Sequence, residues 1–73
     1  MSFAYANKFF IDYDTSRGYV PTRGPFDSLE AARADWDTLP HELRFRLRGP
    51  DNKIYAESNL GNVFIHDPPR SYR

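Results

Sequence analysis

Three arginines alternate with apolar residues in Leu43-Arg44-Phe45-Arg46-Leu47-Arg48. Residues two apart on a strand share a face at a separation of about 6.6 Å, close to the spacing of successive phosphates on an extended nucleic-acid strand. A guanidinium grips phosphate or carboxylate through two parallel hydrogen bonds. Arg44, Arg46 and Arg48 are therefore candidates for contacting an acidic protein partner or nucleic acid. A solvated outer face that keeps a sheet soluble and discourages edge pairing explains the same row. Asp35, Asp37 and Glu42 form a second candidate cluster. The two aspartates fall where a helix is expected to end, and there the macrodipole disfavours negative charge by roughly 0.3–1 kcal/mol each. Such a cluster can stand in for phosphates on the basic surface of a nucleic-acid-handling enzyme, or can simply pair with Arg33 or the arginine row. Phe10 and Tyr55 complete the binding candidates, because Tyr and Arg dominate interface hot spots and aromatic rings stack on nucleobases.

Catalytic chemistry has little to work with. His41 and His66 are the two histidines, and neither sits in a paired-histidine helix motif or a nucleophile signature. There is no glycine-rich phosphate loop. Asp12 and Asp14, or Asp35 and Asp37, could in principle hold a metal, but Asp12 and Asp14 flank a turn, where aspartate is common for backbone reasons. The chain has no cysteine, which removes disulfides, thiolate zinc sites and thiol catalysis. A non-enzymatic protein without a cofactor is the expectation.

At 73 residues the chain makes one domain. Ten basic residues balance ten acidic ones, which argues against a generic phosphate-backbone binder. The balance is uneven along the chain: residues 1–43 hold four Lys/Arg against seven Asp/Glu, and residues 44–73 hold six against three. Opposed charge of this kind steers association with a partner or with a second copy. No apolar run approaches a membrane span, and the start lacks the basic, then apolar pattern of a signal peptide; a cytoplasmic protein without membrane contact is expected.

The elements that must position these residues are read from period and punctuation. Phe3, Tyr5, Phe9, Ile11 and Tyr13 share one parity, predicting a half-buried strand. Asp14 to Gly18 is turn chemistry, and Tyr19–Arg23 returns as a short edge strand because Pro21 cannot donate to a ladder. Asp27 with Glu30 three residues on predicts a capping box. Leu29, Ala32, Trp36 and Leu39 then form one helical stripe ended by Pro40. Arg33 and Asp37 are spaced for an i,i+4 pair. Strands follow at Leu43–Arg48, Ile54–Glu57 and Val63–His66. The order strand-strand-helix-strand-strand-strand predicts an α+β domain, a small antiparallel sheet of about four to five strands with one helix on one face. The domain is expected over residues 1–66, with a proline-rich flexible tail over 67–73.

The run Gly24-Pro25-Phe26-Asp27-Ser28-Leu29-Glu30-Ala31-Ala32-Arg33-Ala34-Asp35-Trp36-Asp37 resembles the strand-to-helix junction of ethylene-response-factor-type plant DNA-binding domains, and its Gly-Pro-Phe start resembles SPOR peptidoglycan-binding domains. It covers about a fifth of the chain. The basic three-stranded sheet of the first family and the second helix of the other are missing, so neither function carries over. In size, architecture and charge pattern the chain is similar to the anti-CRISPR proteins and other small inhibitors of phages and mobile elements. That likeness implies an inhibitor that occupies a surface of a nucleic-acid-handling complex, a nuclease or CRISPR effector being the partner. Direct nucleic-acid binding through Arg44, Arg46 and Arg48 is the alternative, and a structural or self-assembling homodimer the next.

Overall fold

A computed structural model describes residues 7–71; Phe3 and Tyr5 of the predicted first strand, and Tyr72 and Arg73, lie outside the described residues. The order of elements is the expected one: β1 (Phe9–Thr15), β2 (Gly18–Phe26), α1 (Leu29–Trp36), β3 (Phe45–Arg48), β4 (Lys53–Asn59) and β5 (Asn62–Ser71). The five strands form one antiparallel sheet in the order β2-β1-β3-β4-β5. The protein is a small α+β fold in which β1 and β3 are central and β2 and β5 are the two edges.

Two adjacent rungs show how one sheet gets two chemically different faces. Ile11, Leu47, Ala56 and Ile65 are cross-strand partners in one rung; Asp12, Arg46, Glu57 and Phe64 are partners in the next. Neighbouring rungs point to opposite faces. On the first face Ile11, Leu47 and Ala56 are fully buried with Ala32 and Trp36 of α1 and with Phe45, and Phe9, Tyr13, Leu29 and Leu39 pack around them. The predicted stripe of Leu29, Ala32, Trp36 and Leu39 thus packs on the apolar parity of β1.

The helix differs from expectation at both ends. Its N-cap is Ser28, whose hydroxyl accepts from the Ala31 N–H at 3.1 Å. Asp27 instead pairs with Lys8 across the strand-to-helix junction, so no capping box forms on it. At the other end α1 stops at Trp36 and Asp37 is the C-cap. The last turn tightens into i→i+3 bonds, Thr38 N–H to the Asp35 carbonyl at 3.0 Å and Leu39 N–H to that of Trp36 at 3.1 Å. His41 Nε2 reaches the same Trp36 carbonyl at 2.9 Å with its ring stacked on the indole. Leu39 therefore joins the core from a turn, not from the helix. The i,i+4 pair expected between Arg33 and Asp37 is not formed: neither side chain is in an ion pair among the described residues.

Irregularities sit where proline and glycine require them. In β2 the register slips around Thr22 and around Gly24-Pro25, so this edge runs to Phe26 instead of ending at Arg23. Between β4 and β5, Tyr55 alone faces the four residues His66-Asp67-Pro68-Pro69. The ladder then resumes, with Arg70 opposite Ile54 and Ser71 opposite Lys53. β5 thus runs past the boundary expected at residue 66: it absorbs both prolines in a wide bulge, where no N–H is needed, and continues through residue 71. No helix among the described residues is long and apolar enough to cross a membrane.

Gly49 closes the end of β3 with an ordinary negative φ of −109°, so space and not backbone conformation demands glycine. A Cβ there would run into the Tyr55 ring and come within 3.0 Å of Phe9 Cε2; these two rings meet edge-to-face at 5.5 Å. Gly49→Ala is expected to cost about 1–3 kcal/mol through overpacking, read by urea unfolding. The penalty should shrink in a Tyr55→Ala background, as a double-mutant cycle measures; an equal penalty in both backgrounds would show that the ring does not set it.

Candidate functional site

The charged face of the sheet is built around Asp12. Its carboxylate is 1% exposed and its neighbours are the arginines of β3. Arg46 Nε donates to Asp12 Oδ2 at 3.0 Å; Arg48 Nε donates to the same oxygen at 2.7 Å and Arg48 Nη2 to Oδ1 at 3.2 Å. The Arg46 guanidinium lies 3.9 Å from the Tyr19 ring centroid and that of Arg48 5.1 Å from Phe10. No α-helix among the described residues covers this face: long arginine stems and aromatic rings pack over it themselves. Arg46 is only 8% exposed. Arg44, at the end of the row, donates to Asp14 Oδ2 and to Asn59 Oδ1, both at 3.2 Å.

Two members of the arginine row are therefore engaged within the sheet, and Arg44 stays exposed with its bonds to Asp14 and Asn59. Arg46 and Arg48 neutralise one buried carboxylate, and the uneven charge along the chain is largely cancelled where β1 meets β3. Of the predicted acidic cluster, one member is engaged within the fold. Asp35 takes a bidentate pair from Arg23 of β2, Nη2 to Oδ1 at 2.9 Å. Asp37 and Glu42 are exposed and share no bond with it. Phe10 lies under Arg48 beside a shallow depression lined by Lys8, Pro50 and Asn52. Tyr55 is on the helix side, against Phe9. No three His, Asp or Glu among the described residues are grouped to hold a metal ion.

What the fold leaves open is elsewhere. Glu30, Asp37, Glu42, Asp51 and Asp67 on the acidic side, against Arg17, Arg33 and Lys53 on the basic side, have no ion-pair partner among the described residues. The unspent charge is net acidic. A groove of about 480 Å³ opens between α1 and the bulge of β5, with Leu29, Arg33, Tyr55, His66 and Pro69 on its walls. His66 is held by Glu57, Nε2 to Oε2 at 2.6 Å, and Arg70 pairs with the same carboxylate.

The most exposed apolar surface is the first half of β5. Val63 is 42%, Phe64 54% and Ile65 51% exposed, and Leu60 in the β4–β5 turn is 76% exposed. Helix α1 packs over β1, β2 and β3, leaving Ile65 uncovered although it continues the core rung. Leu60 has a φ of 53°, the left-handed region that costs an ordinary side chain roughly 1–2 kcal/mol and suits glycine or asparagine. Gly61 N–H donates to the His41 carbonyl at 3.0 Å, tying this turn to the segment after α1. Sequence reading placed a strand here but did not single out its side chains. The available signal was three consecutive apolar residues without alternation, which fits burial on both faces; on an edge beyond the helix it gives exposure on both.

Set against known protein families, curated proteins and solved structures, the chain matches none.

Two outcomes test the charged face. Asp12→Asn removes the buried charge that Arg46 and Arg48 share, and should cost about 3–5 kcal/mol by urea unfolding; a loss below about 1 kcal/mol would show that water or other groups compensate. The Tyr19 hydroxyl is held above the usual tyrosine value, first by burial, then by Asp14 and Glu57 acting against Arg46 and Arg44. Its neutral form is favoured by folding, so that stability is complete below the ordinary tyrosine pKa and declines as pH rises through the folded value. In an ultraviolet titration one late tyrosinate step should vanish in Tyr19→Phe.

Proposed function

We propose that this chain is a non-enzymatic protein-binding module that takes up an extended segment of a larger partner on the β5 edge. The observation that carries the reading is the exposure of Val63, Phe64 and Ile65 on a strand that lies at the edge of the sheet formed by the described residues. Strand addition on such an edge draws affinity from main-chain hydrogen bonds and specificity from alternate side chains. The opposite edge, β2, carries Pro21, Pro25, Arg23 and two register slips, devices that blunt an edge. The first half of β5 carries none of them.

The partner's chemistry follows from both features. Its docking segment is apolar, because residues 62–65 present no charge. Its surrounding surface is basic, because the side chains left unpaired here are mainly acidic. A protein that handles nucleic acid has such a surface, and occupancy of it makes this chain an inhibitor, the anti-CRISPR-like role that its size and architecture suggested. Direct nucleic-acid binding has less support, since Arg46 and Arg48 are committed to Asp12.

Comparative capture tests the reading. Tagged wild type and Phe64→Lys are used in parallel pull-downs at low salt, with melting curves on both. Phe64 is half exposed, so its replacement should leave stability within about 0.5 kcal/mol while reducing binding by about 1.5–3 kcal/mol, tenfold or more. Leu60→Asn should melt higher, by relief of about 1 kcal/mol of backbone strain, and bind more weakly. A stoichiometric partner retained equally by all three proteins would overturn the site. A wild-type dimer in light scattering, abolished by Phe64→Lys, would overturn the partner in favour of a second copy.

A further inference from the structure

Arg33 presents an unusual combination of neighbours and bonds. Glu30 lies at i−3 on the same helix, Asp37 at i+4, and Asp67 lines the same groove from β5. Residues three and four apart on a helix are within reach of each other, yet Arg33 pairs with none of these carboxylates. Its Nε is sealed from solvent and has no hydrogen-bond partner. A buried donor left in that state is costly, and it belongs to a half-buried side chain at the wall of a groove of about 480 Å³. The groove is large enough for a small ligand. Leu29, the Tyr55 ring and Pro69 give it an apolar lining, and Glu30 and Asp67 put negative charge on its walls.

We propose that this groove binds the carboxylate end of an apolar amino acid. The carboxylate pairs bidentately with Arg33, the geometry guanidinium favours. The apolar side chain rests on Tyr55, Leu29 and Pro69. The ligand nitrogen turns toward Glu30 and Asp67. Those two carboxylates are why a singly charged carboxylate fits and a phosphate dianion does not: like charge within the groove is unfavourable, while an N–H or ammonium on the same ligand finds acceptors. His66 serves as wall only, because its Nε2 is already engaged by Glu57. The site lies on the helix side of the bulge and does not depend on strand addition to β5.

The same chemistry comes from two sources, a free amino acid and the C-terminal residue of a peptide, and three probes separate them. ¹⁵N–¹H spectra of the full chain are recorded during titration with L-phenylalanine, N-acetyl-L-phenylalanine and L-phenylalaninamide. Saturable shifts are expected at Leu29–Arg33, Tyr55 and His66–Asp67, with a Kd on the order of 1 mM for a ligand of this size. Phenylalaninamide, lacking the carboxylate, should produce none. Equal binding of the free and acetylated forms assigns the site to a peptide C-terminus; binding of the free form alone assigns it to the amino acid. Arg33→Gln should weaken binding tenfold or more without lowering the melting temperature, since no intramolecular bond is lost. Arg33→Lys, which keeps the charge but not the fork, should also weaken it and decides the matter if the glutamine variant is unstable. Phe64→Lys should leave the titration unchanged, which separates this site from the β5 edge. The proposal is overturned by an absence of saturable shifts with both carboxylate probes, by an equal response to the amide, or by Arg33 variants that bind as wild type does.

Discussion

A single buried carboxylate organises the sheet. Asp12 is on a central strand, almost without solvent, and charge in that position is tolerated only with close counter-charge and several hydrogen bonds. Arg46 and Arg48 supply both, and each then lies over an aromatic ring contributed by β2 or β1. The consequence reaches well beyond one ion pair. The register that places Asp12 opposite Arg46 places Ile11 opposite Leu47 on the other face, and a slip of one residue would bury the arginines under the helix and expose the core. Polar pairing on one side and apolar packing on the other specify the same alignment, the mutual consistency that gives a sequence one structure.

That dual use of β3 is why the sequence was informative about the fold and silent about which of its charges are paired. The alternation of Leu43–Arg48 announced a strand with one charged face, and the face exists. What alternation does not encode is where the long side chains end. Whether an arginine reaches into solvent or folds back depends on a carboxylate thirty-four residues away in the chain, aligned only by sheet order. The pairing of Asp35 was hidden for the same reason, since its partner Arg23 is brought to the helix end only by the fold. Helix existence was legible from its stripe, but its cap was not: Asp27 and Ser28 are both good caps, and Lys8 decided between them by drawing Asp27 away.

The surface remaining after these pairings differs in kind from the one composition describes. Opposed charge along the chain is consumed between neighbouring strands. What is left is a scatter of unpaired acids, one arginine that avoids nearby carboxylates, and an apolar strand beyond the reach of the one α-helix among the described residues. An eight-residue helix cannot cover five strands. The domain economises on a second layer where arginine and aromatic side chains can do the covering, and leaves β5 bare where they do not.

The two borders of the sheet are unequal, and that inequality sets the stoichiometry of anything that adds to it. A newcomer on β5 extends the sheet by one step at that side, but the kinked, proline-bearing border at β2 offers no matching ladder for the next. Growth by head-to-tail stacking would need both borders to be receptive. Under the proposed strand addition at β5, a chain with one receptive side joins once and then stops, finishing another protein's sheet without seeding a fibre of its own.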